Sequence, residues 1–68
     1  MNVTVNGDAH QLEEGAHVED VLVLLGRDRK ALGLAVAVNG QIVPRSEWSD
    51  RSLTADDRIE VLHAIGGG

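Results

Sequence analysis

The sequence predicts an α+β fold in which a mixed sheet of about five strands carries one helix on one face. Three observations carry that reading. Apolar residues alternate at Met1, Val3 and Val5, and again along Arg58 to Ile65, with the period of two that half-buried strands require. Asn6-Gly7 and Asn39-Gly40 each supply two residues that tolerate the positive φ of a tight hairpin turn. Between them Val18, Val21, Leu22 and Leu25 fall at i, i+3, i+4 and i+7, so one helical stripe is apolar and can pack on a sheet.

Taken in order, the first hairpin joins a strand over Met1 to Val5 to a second strand over Ala9 to Glu13. The second has little apolar content: Leu12 is its inward residue, His10 is in phase with it, and Glu14-Gly15 ends it. His17 stands at the helix N-cap, a position that Ser, Thr, Asp or Asn fills better. Glu19 and Asp20 put carboxylates at the positive end of the helix dipole, and Gly26 closes the helix at C′. The run Arg27-Asp28-Arg29-Lys30 reads as a solvated loop.

Ala35 to Val38 is β-compatible and turns at Asn39-Gly40 into Gln41-Ile42-Val43. Pro44 has no N–H to donate, so that strand stops there or lies at an edge. Ser46 to Ser52 reads as irregular, with Trp48 as an apolar plug beneath it, and Asp56-Asp57 forms a turn. In the last strand, Arg58 to Ile65, one face carries Ile59, Val61, His63 and Ile65; the other carries Arg58, Glu60, Leu62 and Ala64. The order strand, strand, helix, strand, strand, strand makes the first and last strands central and parallel, as in a β-grasp.

Sixty-eight residues allow one domain with one small core, assigned here to residues 1–65, followed by a glycine tail at 66–68. Trp48 is the only aromatic residue, so the core is aliphatic. With no cysteine there is no disulfide framework, thiolate metal site or catalytic thiol. Eleven acidic against six basic residues give a net charge of −5, which disfavours nucleic acid and anionic membranes and is compatible with a basic protein partner. The chain opens on a strand pattern with neither a signal core nor an apolar span, so the expected location is cytoplasmic.

Candidate catalytic groups are sparse. His10, His17 and His63 come from three different elements without close ligand spacing, so no metal site is expected. Asp56-Asp57 could be read as a carboxylate pair, but neighbours in a turn usually point apart and solvate. No phosphate-binding glycine motif is present. The expectation is a protein that is not itself an enzyme. What stands out is Ile65-Gly66-Gly67-Gly68, directly after a strand. Without Cβ atoms such a tail can thread a channel too narrow for side chains, and its reactive group is the terminal carboxylate.

The Val-Asn-Gly hairpin, the Asp-Val-Leu helix, Ala37-Val38-Asn39-Gly40-Gln41-Ile42-Val43-Pro44-Arg45, Trp48, Asp57-Arg58-Ile59-Glu60-Val61 and Gly67-Gly68 together resemble the ThiS family along essentially the whole chain. Its members are ubiquitin-like β-grasp sulfur carriers of thiamine biosynthesis. His17 departs from the Thr-like cap common there, and Asp56-Asp57 replaces the usual Gly-Asp turn. The resemblance implies that the Gly68 carboxylate is adenylated by a ubiquitin-activating-like (ThiF-like) adenylyltransferase and then becomes a thiocarboxylate. It also implies a cysteine desulfurase as the indirect sulfur source and a ThiG-like thiazole synthase as recipient. Gly66 and Gly67 would thread both partners' sites. No cofactor is expected on the chain, since ATP and Mg²⁺ would be used by the adenylating partner.

The apolar outer face of the last strand, Leu62 and Ala64 together with Ile42, is the expected docking surface on a chain expected to be a monomer when free. Other readings of the same tail are a MoaD-like carrier for molybdopterin, a carrier for cysteine synthesis, and a ubiquitin-like modifier that forms isopeptide bonds. MoaD-like chains tend to carry Phe and Pro before the paired glycines, and Leu62-His63-Ala64-Ile65 has neither.

Overall fold

A computed structural model describes residues 1–28 and 30–63. Its strands are β1 (Asn2–Val5), β2 (Asp8–Gln11), β3 (Leu34–Val38), β4 (Gln41–Val43) and β5 (Arg58–His63), with one helix, α1 (Val18–Leu24), and a 3₁₀ turn at Arg45–Glu47. They form one five-stranded sheet in the order β2-β1-β5-β3-β4. β1 and β5 run parallel in register Thr4↔Arg58 and Val5↔Ile59, while every other neighbouring pair is antiparallel. The expected central, parallel pairing of first and last strands is therefore present.

The alternation read from the sequence decides which side of the sheet the helix covers. Val3, Val5, Leu34, Val36, Val38, Val43, Ile59 and Val61 point to one face and are buried there. They pack with Val18, Val21 and Leu22 of α1 and with Trp48 and Leu53 in one cluster. Burying this aliphatic set is the main force for folding, about 1.5–3 kcal/mol for each fully covered Val, Leu or Ile. Met1, Leu12 and Leu25 seal the rim of the cluster.

α1 is held at both ends by its own sequence. Asp20 Oδ2 accepts the His17 backbone N–H at 2.8 Å, the reciprocal half of a capping box, so the weak cap at His17 is helped from three residues downstream. At the far end the Gly26 N–H donates to the Val23 carbonyl at 3.0 Å and the Arg27 N–H to the Leu22 carbonyl at 2.8 Å. With Gly26 at φ 69°, this is a Schellman closure, which needs a residue tolerant of the left-handed region at C′.

Several local expectations are corrected. β2 spans Asp8–Gln11 and not Ala9 to Glu13; Leu12 lies just past it, half-buried, with its N–H donated to the Met1 carbonyl. β3 begins at Leu34, one residue earlier than read, because Leu34 pairs with His63 and enters the core. The segment read as irregular contains the 3₁₀ turn, and Ser52 bridges to His17. Trp48 is the expected plug: its Nε1–H donates to the Val43 carbonyl at 2.8 Å, and the Arg45 guanidinium stacks over its ring at 4.5 Å. His63, expected at the edge of the core on the face of Ile59 and Val61, is exposed: it pairs with Leu34 (7% exposed) and follows Val61 (8%), where the core ends. Ala64 and Ile65, expected to complete the strand, lie outside the described residues.

Candidate functional site: the end of β5 and the open sheet face

β5 is the element from which the glycine tail departs, and its two ends are gripped differently. At its start Asp57 is buried, contrary to the expectation that both turn carboxylates solvate. Its Oδ2 accepts the Thr54 N–H at 2.8 Å; its Oδ1 accepts the Asn39 side-chain amide at 2.9 Å and the Thr54 hydroxyl at 3.1 Å. Burial pushes the Asp57 carboxyl up, but these hydrogen bonds, with the nearby Arg51 charge, together outweigh it and hold its pKa below the ordinary 3.8. Asp56 carries the left-handed φ of 70° at this turn and is exposed, so the two carboxylates have separate fates and form no acid/base pair.

Toward its other end β5 is held by Asn6. The Asn6 N–H donates to the Ile59 carbonyl at 2.9 Å, its Nδ2 donates to the Val61 carbonyl at 3.2 Å, and its Oδ1 accepts the Val61 N–H at 2.9 Å. Sequence reasoning assigned Asn6 only a turn; its amide is a contact across 55 residues that no local signal could announce.

The face of the sheet opposite α1 carries Arg58, Glu60 and Leu62 of β5, Ala35 and Ala37 of β3, and Ile42 of β4. Leu62 pairs with Ala35, and Ala37 lies between Glu60 and Ile42. Leu62 (64% exposed) and Ile42 (70%) therefore flank two half-buried alanines in a continuous apolar patch. The two expected docking residues within the described part thus share one open face. Ala64, Gly66, Gly67 and Gly68 lie outside the described residues.

On the helix side, an open cleft of about 420 Å³ is lined by Glu19, Lys30, Leu32, Arg45, Trp48 and Ser49. Arg45 donates to the Ala31 carbonyl at 2.6 Å while it covers Trp48, so it closes the floor of the cleft. The three histidines stay apart: His10 is on β2, His17 caps α1 with Nδ1 3.8 Å from Asp20, and His63 ends β5. Among the described residues no group of three or more His, Cys, Asp or Glu side chains could hold a metal ion. Nor is any helix among them long and apolar enough to cross a membrane.

Comparison with known proteins adds to this geometry. The ThiS family model matches residues 3–68. The chain is 35% identical to the sulfur carrier protein ThiS of Escherichia coli K12, with all of both chains covered. It is also 38% identical over its whole length to part of a thiazole synthase from Magnetococcus marinus, of which it spans 20%. Among solved structures, a thiamine biosynthesis protein (ThiS) from Geobacter metallireducens matches with a TM-score of 0.81 and 30% identity over all of both chains. The fold is thus the ubiquitin-like β-grasp of that protein.

Proposed function

The chain belongs to the ThiS family, and from that premise we propose that it is a sulfur carrier of thiamine biosynthesis, acted on by partner enzymes and not itself a catalyst. The observation that carries this reading is the end-to-end match with a sulfur carrier protein, which leaves no part of either chain over. The reactive atom is then the carboxylate of Gly68. A carboxylate oxygen is a poor leaving group. Attack of that oxygen on the α-phosphorus of ATP, with pyrophosphate leaving, gives an acyl-adenylate. The outer sulfur of a protein persulfide displaces AMP at the carbonyl to give an acyl disulfide. A second thiol of the partner attacks the inner sulfur, is left in a disulfide, and releases the thiocarboxylate, which presents sulfur at the end of a side-chain-free arm, Gly66-Gly67.

The adenylating partner supplies ATP, Mg²⁺ and the catalytic groups, and a cysteine desulfurase supplies the sulfur. A thiazole synthase is the recipient. The thiazole synthase from Magnetococcus marinus, and a second from Paramagnetospirillum magneticum at 32% identity, each include a segment resembling this whole chain. A carrier-like segment inside a synthase chain supports synthase as the recipient over molybdopterin or cysteine chemistry. Docking falls to the Leu62, Ala35, Ala37 and Ile42 patch, because it is apolar, open and includes the strand that leads to the tail.

Intact mass after incubation with ATP, Mg²⁺, the adenylating enzyme and a sulfur source tests the reading. Exchange of one oxygen for sulfur, localised to Gly68 by fragmentation, is the expected result. An unchanged mass with an enzyme active on another carrier overturns it. Leu62→Glu is expected to abolish adenylation while leaving the melting transition intact, since Leu62 is on the open face; unimpaired adenylation would move docking elsewhere.

A further inference from the structure

We infer that Asn6 is a positioning residue for activation of the tail, because its side chain acts as one further residue of β1 and fixes the direction in which β5 leaves the sheet. This rests on the sulfur-carrier reading. The backbone ladder between β1 and β5 ends at Val5↔Ile59, since the chain turns away at Asn6-Gly7 with φ of 51° and 88°. The pairing does not stop there. The Asn6 carboxamide offers an acceptor and a donor in the spacing of a peptide group, and both are used on Val61, two residues further along β5.

On its other side β5 continues to pair with β3 as far as Leu34↔His63. Without the Asn6 contact, Val61 to His63 would be paired on one side only. Two-stranded ribbons twist more strongly than strands held on both sides, so that end of β5, together with the β3 strand it stays paired to, would swing relative to β1. Val61 stands seven positions before Gly68, and the Asn6 contact is the last described hold from the β1 side on the strand that leads to the carboxylate. In-line attack on a phosphorus atom tolerates little misplacement: an error of about 1 Å can cost on the order of a hundredfold in rate. Docking should be spared, because Leu62 stays paired with Ala35 of β3 and the patch moves as one piece.

The experiment is steady-state ATP–pyrophosphate exchange by the adenylating enzyme, with the full chain as varied substrate, for wild type, Asn6→Gly, Asn6→Asp and Asn39→Gly. Glycine keeps the positive φ of both turns, so the backbone is not strained. Asp keeps the Val61 N–H acceptor and loses the donor. The expected result is a kcat for Asn6→Gly lower by roughly tenfold at unchanged KM, Asn6→Asp between it and wild type, and Asn39→Gly at the wild-type kcat despite its lower melting temperature. Faster hydrogen exchange at the Val61 amide in Asn6→Gly should accompany the loss. Wild-type kcat in Asn6→Gly, or equal losses in the Asn6 and Asn39 variants, overturns the inference and leaves the carrier reading standing. Should Asn6→Gly fail to fold, an Asn6→Asp kcat equal to wild type overturns it alone. A wild-type chain that supports no exchange overturns both.

Discussion

The two Asn-Gly turns have the same backbone shape, with φ of 51° and 88° at residues 6 and 7 and of 52° and 83° at residues 39 and 40. Both turn β5-ward, and both asparagines bond to that strand through backbone and side chain. Their partners differ. Asn39 donates its N–H to the Arg58 carbonyl at 2.7 Å, accepts the Arg58 N–H at 2.9 Å and donates its amide to the buried Asp57 carboxylate. Among the described residues Asn6 bonds to uncharged backbone groups, those of Ile59 and Val61. One turn therefore anchors the entry of β5 through a charge, and the other guides its exit through a neutral peptide-like contact. The same dipeptide serves stability at one end and direction at the other.

The sharpest way to break this contrast is Asp57→Ala. It leaves the Thr54 N–H and the Asn39 amide without their acceptor, at a cost of about 3 kcal/mol. For a domain of this size that is a fall in Tm of roughly 15 °C by calorimetry. An unchanged Tm would show that the entry of β5 is held by packing alone.

Acidification should act next, on the entry of β5 and not on its exit. Asp57 has a folded pKa below its unfolded value, so its contribution to stability is fully present above the unfolded pKa and is lost as pH falls through the folded one. Wild-type unfolding free energy should therefore decline below about pH 4 with a component that Asp57→Asn removes. A decline identical in Asp57→Asn would assign the acid sensitivity to other carboxylates.

The smallest effects compare the turns directly. Asn39→Gly gives up a charge-assisted bond and should cost about 2 kcal/mol, whereas Asn6→Gly gives up neutral bonds and should cost about 1 kcal/mol. Denaturant midpoints at neutral pH check the order. Repeating them as pH is lowered through the Asp57 titration sharpens it, because protonation of Asp57 should shrink the Asn39 penalty and leave the Asn6 penalty unchanged.

The legible part of the chain was the part with a period. Val18, Val21 and Leu22, the alternation around Val3, Val36 and Ile59, and the Asn-Gly turns all report geometry within a few residues, and the structure places them as read. Leu53 was left unplaced because a lone apolar residue in a loop has no period; it enters the core because its N–H bonds to the Ala16 carbonyl and fixes it beneath the helix start. Asp57 departs from the sequence reading for a related reason: a turn carboxylate usually solvates, and here the Thr54 N–H and hydroxyl, with the Asn39 amide eighteen residues away, replace water around it. Of the candidate site, Leu62 and Ile42 were legible as the polar-phase exceptions on their strands.

By itself the sequence determined the element types, the face each apolar residue takes, and the resemblance carried by its turns and glycine tail, because periodicity and φ tolerance are properties of neighbouring residues. The tertiary structure decided what the expected pairing of β1 and β5 is held by, one asparagine at the exit of β5 and another at its entry, and that Ala35 and Ala37 join Leu62 to Ile42 in a single patch. Those are contacts between groups far apart in the chain, and their free energy exists only once the sheet has closed its loops.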